Sequence, residues 1–496
     1  MNNSKFIKNV VSGFGGQFII IILGIIVPRI FISSYGSDTN GLLSTIGQIF
    51  TYMALLEAGI GQAARNALYK PFQEKNTDEI NYTASVARSY YRRFTIIYAV
   101  GVVILSLVLP YVMKTNVDKF TVFLIVFFEG ISGVISFYYI QTPSIIISVD
   151  GKSYINNGIT VVNKIVSYIV KIVLAKFGIN VALLQFSYFI INVIKVFFYK
   201  IYFNKHYSWL KYIKVDKNIK LKDRNSYIIT EIATTVFNST DMIVLSMLLS
   251  TQLSSVYSVY NMIYSNVHLL LNSVYFSIVY ILGRLYHSDL KKYSVAHDSF
   301  ITIFLGLMTI LMSVCYVLTI PFITLYTDGI KDVDYIYKQL PLLFSLVQIL
   351  SWSRYVGGNL TCLAGYAKET SYVSLVEAIL NITLSVILVN KFGIVGVLLA
   401  TVLSLPLKVI WCFYISDKKV LKRSYLRSLS ILGVNYLIFA SVVVLSRFIK
   451  IEIANYISFA LYGIVLTLII GIIGMGLNLL VNRECWSVIK KYILKK

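Results

Sequence analysis

The chain has 496 residues, of which 57% are hydrophobic and 14% charged. A bilayer-spanning helix needs roughly 20 mostly apolar residues, so the composition supplies on the order of fourteen. It excludes a soluble enzyme, a disordered scaffold and a secreted disulfide module. The formal net charge is +23; on a soluble protein that would point to nucleic acid, and on a membrane protein it raises the question of where the basic residues sit.

Lys5 and Lys8 precede an apolar stretch that runs to about Ile32. It is too long for a signal-peptide core and no small-residue cleavage site follows, so it reads as a first transmembrane helix. Apolar runs between polar breaks predict fourteen helices, near 10–33, 41–64, 94–113, 120–148, 155–175, 178–200, 226–250, 254–283, 299–326, 339–363, 367–389, 393–415, 428–447 and 453–482. The predicted fold is therefore all-α and polytopic. The longest break, the Lys-rich stretch 204–225, follows helix six and divides the chain. It separates a six-helix lobe (1–203) from a second one (226–416), with two further helices and a basic tail in 417–496.

The two halves resemble each other. Lys176-Phe177-Gly178-Ile179 recurs as Lys391-Phe392-Gly393-Ile394, Gly151 matches Gly365, and Pro110 matches Pro321, at shifts of 215, 214 and 211. A repeat of six helices is even, so both copies enter from the same side and a pseudo-two-fold along the membrane normal is expected. Helices thirteen and fourteen lie outside it. With a cytoplasmic N-terminus, inside segments carry 31 of the 45 basic residues, outside segments 8, and 6 lie within helices. That asymmetry is a strong positive-inside signal. It makes most of the charge a matter of topology and anionic-lipid contact, removes nucleic acid from consideration, and predicts cytoplasmic N- and C-termini.

Ionisable groups inside spans cost about 2.5–3.5 kcal/mol each at a helix centre, so partners or a wet cavity are expected. Arg29 shares its face with isoleucines and reads as an interfacial anchor. Helix two offers Ser44, Gln48 and Thr51 on a polar face, while Glu57 lies among Phe50, Met53 and Gly61 and reads as packing. Helix five places Asn157, Thr160, Lys164, Ser167 and Lys171 within about an 80° arc. Helix six continues with Gln185, Tyr188, Asn192 and Lys195, the last a snorkelling candidate, as is Lys408. A water-filled cationic lumen has this pattern and suits an anionic cargo such as a diphosphate; the plainer alternative is structural pairing of these cations with Glu129 or Glu377. Helix seven carries Thr230, Thr234, Asn238 and Asp241 on one face with Glu231 beside it. Asp241 there suits Na⁺ binding or proton exchange, or else a polar packing role. Helix eight has the longest stripe, Tyr257, Asn261, Tyr264, His268, Asn272 and Tyr275. Alternating rings and amides suit sugars, and polar glue between helices is the other account. Because the matching face of helix two is also polar, a shared cavity is the favoured expectation. Helix ten groups Ser351, Arg354, Gly358 and Thr361, with Arg354 a third candidate for cargo binding. Helix eleven groups Thr370, Ser374, Glu377 and Asn381, where Glu377 is a further ion-coupling candidate and a possible partner for a helix-five lysine.

Cys315, Cys362, Cys412 and Cys485 are widely spaced, and His206, His268, His287 and His297 form no cluster, so neither a disulfide framework nor a metal site is expected. Gly13, Gly15 and Gly16 lack the nucleotide-loop spacing, and no P-loop is present. No catalytic residue and no cofactor is predicted.

The run Val27-Pro28-Arg29 to Tyr35-Gly36, then Gly41-Leu42-Leu43-Ser44 and Glu57-Ala58-Gly59-Ile60-Gly61, resembles the start of Wzx-type lipid-linked oligosaccharide flippases. So does Asn238-Ser239-Thr240-Asp241 followed by Val256-Tyr257-Ser258-Val259-Tyr260. These belong to the polysaccharide-transporter branch of the MATE-like MOP superfamily, and the similarity of layout covers the whole chain. The resemblance implies export of undecaprenyl-diphosphate-linked repeat units across the bacterial cytoplasmic membrane for O-antigen, capsule or exopolysaccharide. It also implies alternating access of two lobes, a cation gradient as driver, and a cationic lumen that Lys164 and Lys171 would supply. Pathway partners would be a polysaccharide polymerase and glycosyltransferases. A MATE-like multidrug or small-molecule cation-coupled exporter is the alternative; the two extra helices and the basic stripes argue against it. A membrane-embedded glycosyltransferase would need acidic catalytic residues in a large loop, whereas the long loops here are mainly basic.

Overall fold

A computed structural model of the chain describes residues 3–214, 240–448, 453–482 and 485. Every regular element among the described residues is helical: α1 (Asn3–Glu74), α2 (Thr77–Val112), α3 (Lys119–Tyr139), α4 (Gln141–Val149), α5 (Ser153–Lys176), α6 (Val181–His206), α7 (240–248), α8 (Thr251–Ser288), α9 (Leu290–Tyr326), α10 (Leu340–Leu363), α11 (Ala367–Phe392), α12 (Ile394–Tyr414), α13 (Leu426–Leu445) and α14 (Tyr456–Val481). Ten of these are long and apolar enough to cross a membrane by length and composition. The protein is an all-α, multi-pass membrane protein. Of the others, α10 carries a polar stripe that dilutes its apolarity, and predicted helix seven is described only from residue 240.

Three boundaries differ from expectation, each for a physical reason. Predicted helices one and two form one helical run with a kink at Gly36, whose φ of 81° is open to glycine. The helix expected from residue 94 begins at Thr77, where the Asn76 side chain caps the Glu79 N–H at 3.1 Å; a polar helical segment extends beyond the apolar one. The helix expected over 120–148 breaks at Ile140 into α3 and α4, because Pro143 offers no N–H to the carbonyl one turn earlier. The repeat glycines Gly151, Gly365, Gly178 and Gly393 all adopt positive φ, and after Gly151 and Gly365 the next N–H bonds back to the carbonyl five residues earlier, Ile147 and Thr361.

The chain divides into two compact units, Met1–Ser255 and Val256–Lys496. In the first, the Asp38 carboxylate gathers three segments. It accepts from Thr115 Oγ1 at 2.8 Å, from the Asn116 N–H at 2.7 Å and from the Thr251 hydroxyl. Lys114 completes the knot: its Nζ donates to Leu248 O at 2.6 Å and its carbonyl accepts from Thr251 N–H at 3.1 Å. The α1 kink, the α2–α3 loop and the α7–α8 turn are thereby fixed together. Beside it α1 touches backbone, for a Cβ on Gly41 would lie 1.7 Å from the Thr251 carbonyl oxygen. Below, Thr45, Ser246 and Ser254 form a hydroxyl chain with links of 2.6 and 2.7 Å.

In the second unit, α9 packs against α10, α13 and α14. Its first turns carry Asp298, which is 1% exposed and held by Arg423 through Nη1 at 2.8 Å and Nη2 at 2.5 Å, and by Arg427 Nε at 2.8 Å. Arg423 Nε also reaches Asp417 at 2.7 Å, in the π-helical turn Ile415–Val420 that ends α12. Two of the basic residues counted as topology signals therefore clamp α9 to the α12–α13 connection.

Gly41→Ala is expected to exceed the about 1–3 kcal/mol usual for overpacking, since the obstacle is backbone. Thermal melting of detergent-purified protein should show a lower midpoint, while Gly47→Ala, where a Cβ meets open space, should melt like the parent. Equal midpoints for both variants would refute the close approach.

Candidate functional site

The amphipathic face of α5 turns into a cavity of about 200 Å³ in the first unit. Lys164, Ser167 and Lys171 come from α5, Gln185 and Tyr188 from α6, Glu129 from α3, with Leu43 and Ile46 of α1 closing it. The two lysines lie two helical turns apart, roughly 10 Å along the axis, so their ammonium groups can meet two parts of one ligand. Lys171 Nζ stands 4.5 Å from the centre of the Tyr188 ring, a cation–π contact. The Gln185 amide donates to Glu129, whose carboxylate is within electrostatic reach of Lys171. Lys164 is the more exposed cation, and Lys195 of α6 adds positive charge near it. The cavity is thus cationic in sum, with Glu129 offsetting part of that charge. The α5 stripe was legible in the sequence. The place of Glu129 opposite it was not, because nothing on α3 alone says which helix it faces.

Arg354, expected among the cargo-facing cations, belongs to a buried ion pair in the second unit. Its Nη1 donates to Glu377 Oε2 at 2.9 Å, and the two residues are 4% and 1% exposed. Lys408 of α12 lies within electrostatic reach of the same carboxylate. Glu377 is therefore engaged inside its own unit by a helix-ten cation. Nearby Asn381 donates to Thr401 Oγ1 at 2.9 Å.

The α8 stripe lies largely in a helix interface. Tyr264 is fully buried; its hydroxyl donates to Pro341 O at 3.0 Å and meets Thr319 and Ser345 at 3.2 Å each. Tyr257 is buried against Phe344, with ring centres 5.1 Å apart. His268 stacks on Trp352 at 4.5 Å and shares a 3.0 Å hydrogen bond with Gln348. Within this unit Tyr257 and Tyr264, expected to line a sugar site, are packed against groups of α9 and α10. Asn261 and Asn272 are half-buried on the same helix, as is Gln48 on α1 in the first unit.

Asp241 is buried in α7, next to Thr240, whose hydroxyl shares a 2.5 Å hydrogen bond with Tyr52 of α1. Glu231, with Thr230, Thr234 and Asn238, lies outside the described residues. Glu57 accepts from the Tyr91 hydroxyl, in keeping with packing.

No protein-family model and no curated protein matches the chain. Solved structures do. The lipid II flippase MurJ in an inward closed conformation aligns with a TM-score of 0.64 at 17% identity, covering 94% of this chain and 98% of that one. An inward-facing multidrug resistance MATE transporter of the MOP superfamily gives 0.61 at 11% identity, covering 85% and 98%. The MATE multidrug transporter DinF-BH gives 0.61 at 17%, covering 84% and 96%. The chain shares its fold with MurJ and the MATE transporters. At these identities the likeness concerns the fold alone; the solved neighbours are named as transporters.

Removing one half of the Arg354–Glu377 pair strands a buried charge. Arg354→Gln is expected to destabilise the protein by about 3–5 kcal/mol, and Arg354→Gln with Glu377→Gln to recover most of that. Melting midpoints of the three proteins decide it. A single variant as stable as the parent would show the pair to be dispensable.

Proposed function

We propose that the protein is a flippase that exports undecaprenyl-diphosphate-linked oligosaccharide repeat units across the bacterial cytoplasmic membrane for surface polysaccharide synthesis, by alternating access. The observation that carries this reading is the Lys164–Lys171 cavity. Two ammonium groups on one helix face, one of them braced by a tyrosine ring, can replace the hydration of a diphosphate. A dianionic or more highly charged cargo competes well against the single carboxylate of Glu129 for Lys171. In this account Glu129 is the resident counter-ion when cargo is absent.

A second feature supports a lipid-linked cargo. The α13 and α14 helices, with Val317 of α9, form an apolar groove of about 540 Å³ lined by Leu437, Ile438, Val442, Ile470 and Ile473. A polyprenyl chain fits such a surface by burying hydrocarbon on hydrocarbon. The MurJ alignment also covers about a tenth more of the chain than the MATE alignments, a difference near the combined length of α13 and α14. In the proposed topology fourteen helices form a six-helix lobe (1–203), a basic linker (204–225), a second lobe (226–416) and a two-helix addition (417–496), with both termini cytoplasmic. Asp241 and Glu231 are the proposed ion-coupling carboxylates. A polymerase and glycosyltransferases of the same pathway are the proposed partners. The competing reading, a MATE-like multidrug exporter, draws on the two MATE alignments; the cationic cavity disfavours a cationic drug.

Lys164→Ala with Lys171→Ala should reduce export of surface polymer at least tenfold while leaving the protein level in the membrane unchanged. Polymer at the cell surface and the protein level in the membrane are the readouts. Normal export by the double variant removes the cationic-cavity mechanism, and drug resistance conferred by the parent protein would favour the exporter.

A further inference from the structure

A groove of about 890 Å³ opens along α6 of the first unit, walled by α3, α4 and the segment that follows α6. Its walls change character along their length. Ile135, Val193, Val196 and Phe197 make one stretch of the lining apolar, whereas Arg88, Lys200, Tyr207 and Tyr212 add charged and polar groups to it. From Val193 to Tyr207 the helix rises roughly 21 Å. One leaflet offers about 15 Å of hydrocarbon and a further 5–7 Å of head-group region, so a single lipid matches that length from chain to head.

The cationic end is built. Arg88 Cζ lies 3.9 Å from the centre of the Tyr212 ring, and the stretch of chain bearing Tyr212 is tied to α2. Lys211 N–H donates to Asn81 Oδ1 at 3.0 Å and Ile213 N–H to Ser85 Oγ at 2.9 Å. Arg92 sits 5.2 Å over the Tyr138 ring. The nearby acid, Asp150, accepts from Lys152 Nζ at 2.6 Å and from the Tyr207 hydroxyl at 2.8 Å, which neutralises it toward an incoming anion. Trp209 packs on Tyr207 and Phe72, with ring centres 6.3 and 6.5 Å apart. Together with Tyr138, Tyr139 and Tyr212 it forms an aromatic girdle of the kind found at head-group level.

We infer that this groove holds one anionic phospholipid of the cytoplasmic leaflet, its phosphodiester at Arg88 and Lys200 and one acyl chain along Val193, Val196 and Phe197. Basic pockets between transmembrane helices on that side recognise anionic head groups by the same chemistry. The inference rests on placing this end of the unit at the cytoplasmic face and is independent of the cargo. The test uses full-length protein in detergent, equilibrated with an equimolar mixture of phosphatidylglycerol and phosphatidylethanolamine and read by native mass spectrometry. The parent should retain phosphatidylglycerol in preference. Lys200→Gln, an exposed position, should lower that retention about fivefold, the worth of one basic residue at an anionic surface. Val193→Trp, which fills the apolar end without touching a charge, should also displace the lipid. Equal retention of the two lipids by the parent overturns the inference, as does parent-like retention by both variants. Retention of inorganic phosphate in place of lipid would overturn it as well, assigning the cations to a free anion. Polymer export is not the readout, so a failed cargo assignment leaves the result standing.

Discussion

A hydrocarbon phase offers no water to an ion or a backbone N–H, so each polar group in a span must find its partner within the protein or line a cavity that water can reach. Nearly every polar feature of these helices is an answer to that constraint. Asp38 answers it by collecting two hydroxyls and an N–H from two other segments, which fixes the kink of α1. Glu57 answers it with a tyrosine, Arg354 with Glu377, and Asp298 with two arginines. In each case the charged group is satisfied locally, by hydrogen bonds or by an opposite charge, and contributes packing geometry. The α5 cavity differs in kind. Lys164 and Lys171 line it with a single carboxylate, Glu129, and the sum stays positive. A membrane protein that leaves such an imbalance in a cavity leaves room for an anion.

The same constraint explains how much was legible beforehand. Helices of about twenty apolar residues announce themselves, because burial in lipid demands long uninterrupted runs, and the polar face of α5 follows from the 3.6-residue period alone. What periodicity gives is the face, and it is silent on which helix lies opposite. Hence the stripe on α8 and the stripe on α5 read alike in the sequence, yet Tyr264 is satisfied by α9 and α10 while Lys164 lines a cavity. Arg354 and Glu377 both stand out in the sequence as ionisable groups inside spans, but their pairing depends on α10 meeting α11 at that level. Asp298 was missed because it falls one residue before the predicted span, and its partner Arg423 is 125 positions away. A lone acid at the edge of a basic region was the available signal.

The breaks were legible in a weaker sense. Pro143 marked a place where α3 could not continue, but a run of apolar residues on both sides made one helix the simpler expectation. Gly36 lay between two predicted helices and serves as a kink inside one. Both cases show local backbone chemistry overriding hydropathy at the level of single residues while leaving the number of apolar segments nearly intact.

Under the proposed function, the size of the α5 cavity has a consequence for specificity. At about 200 Å³ it lies below the roughly 300–1,000 Å³ that enclose drug-sized ligands. It has room for a diphosphate and none for several sugar rings. The charge that anchors the cargo would then be read apart from the glycan, and the head group would bind alike whatever sugars it carries. Discrimination between repeat units would in that case come from neutral polar groups outside the cavity, such as the half-buried amides of Gln48, Asn261 and Asn272; Tyr257 and Tyr264 are committed to packing. Anchoring and selection would thus be separable by substitution, the first residing in two lysines and the second in neutral polar groups.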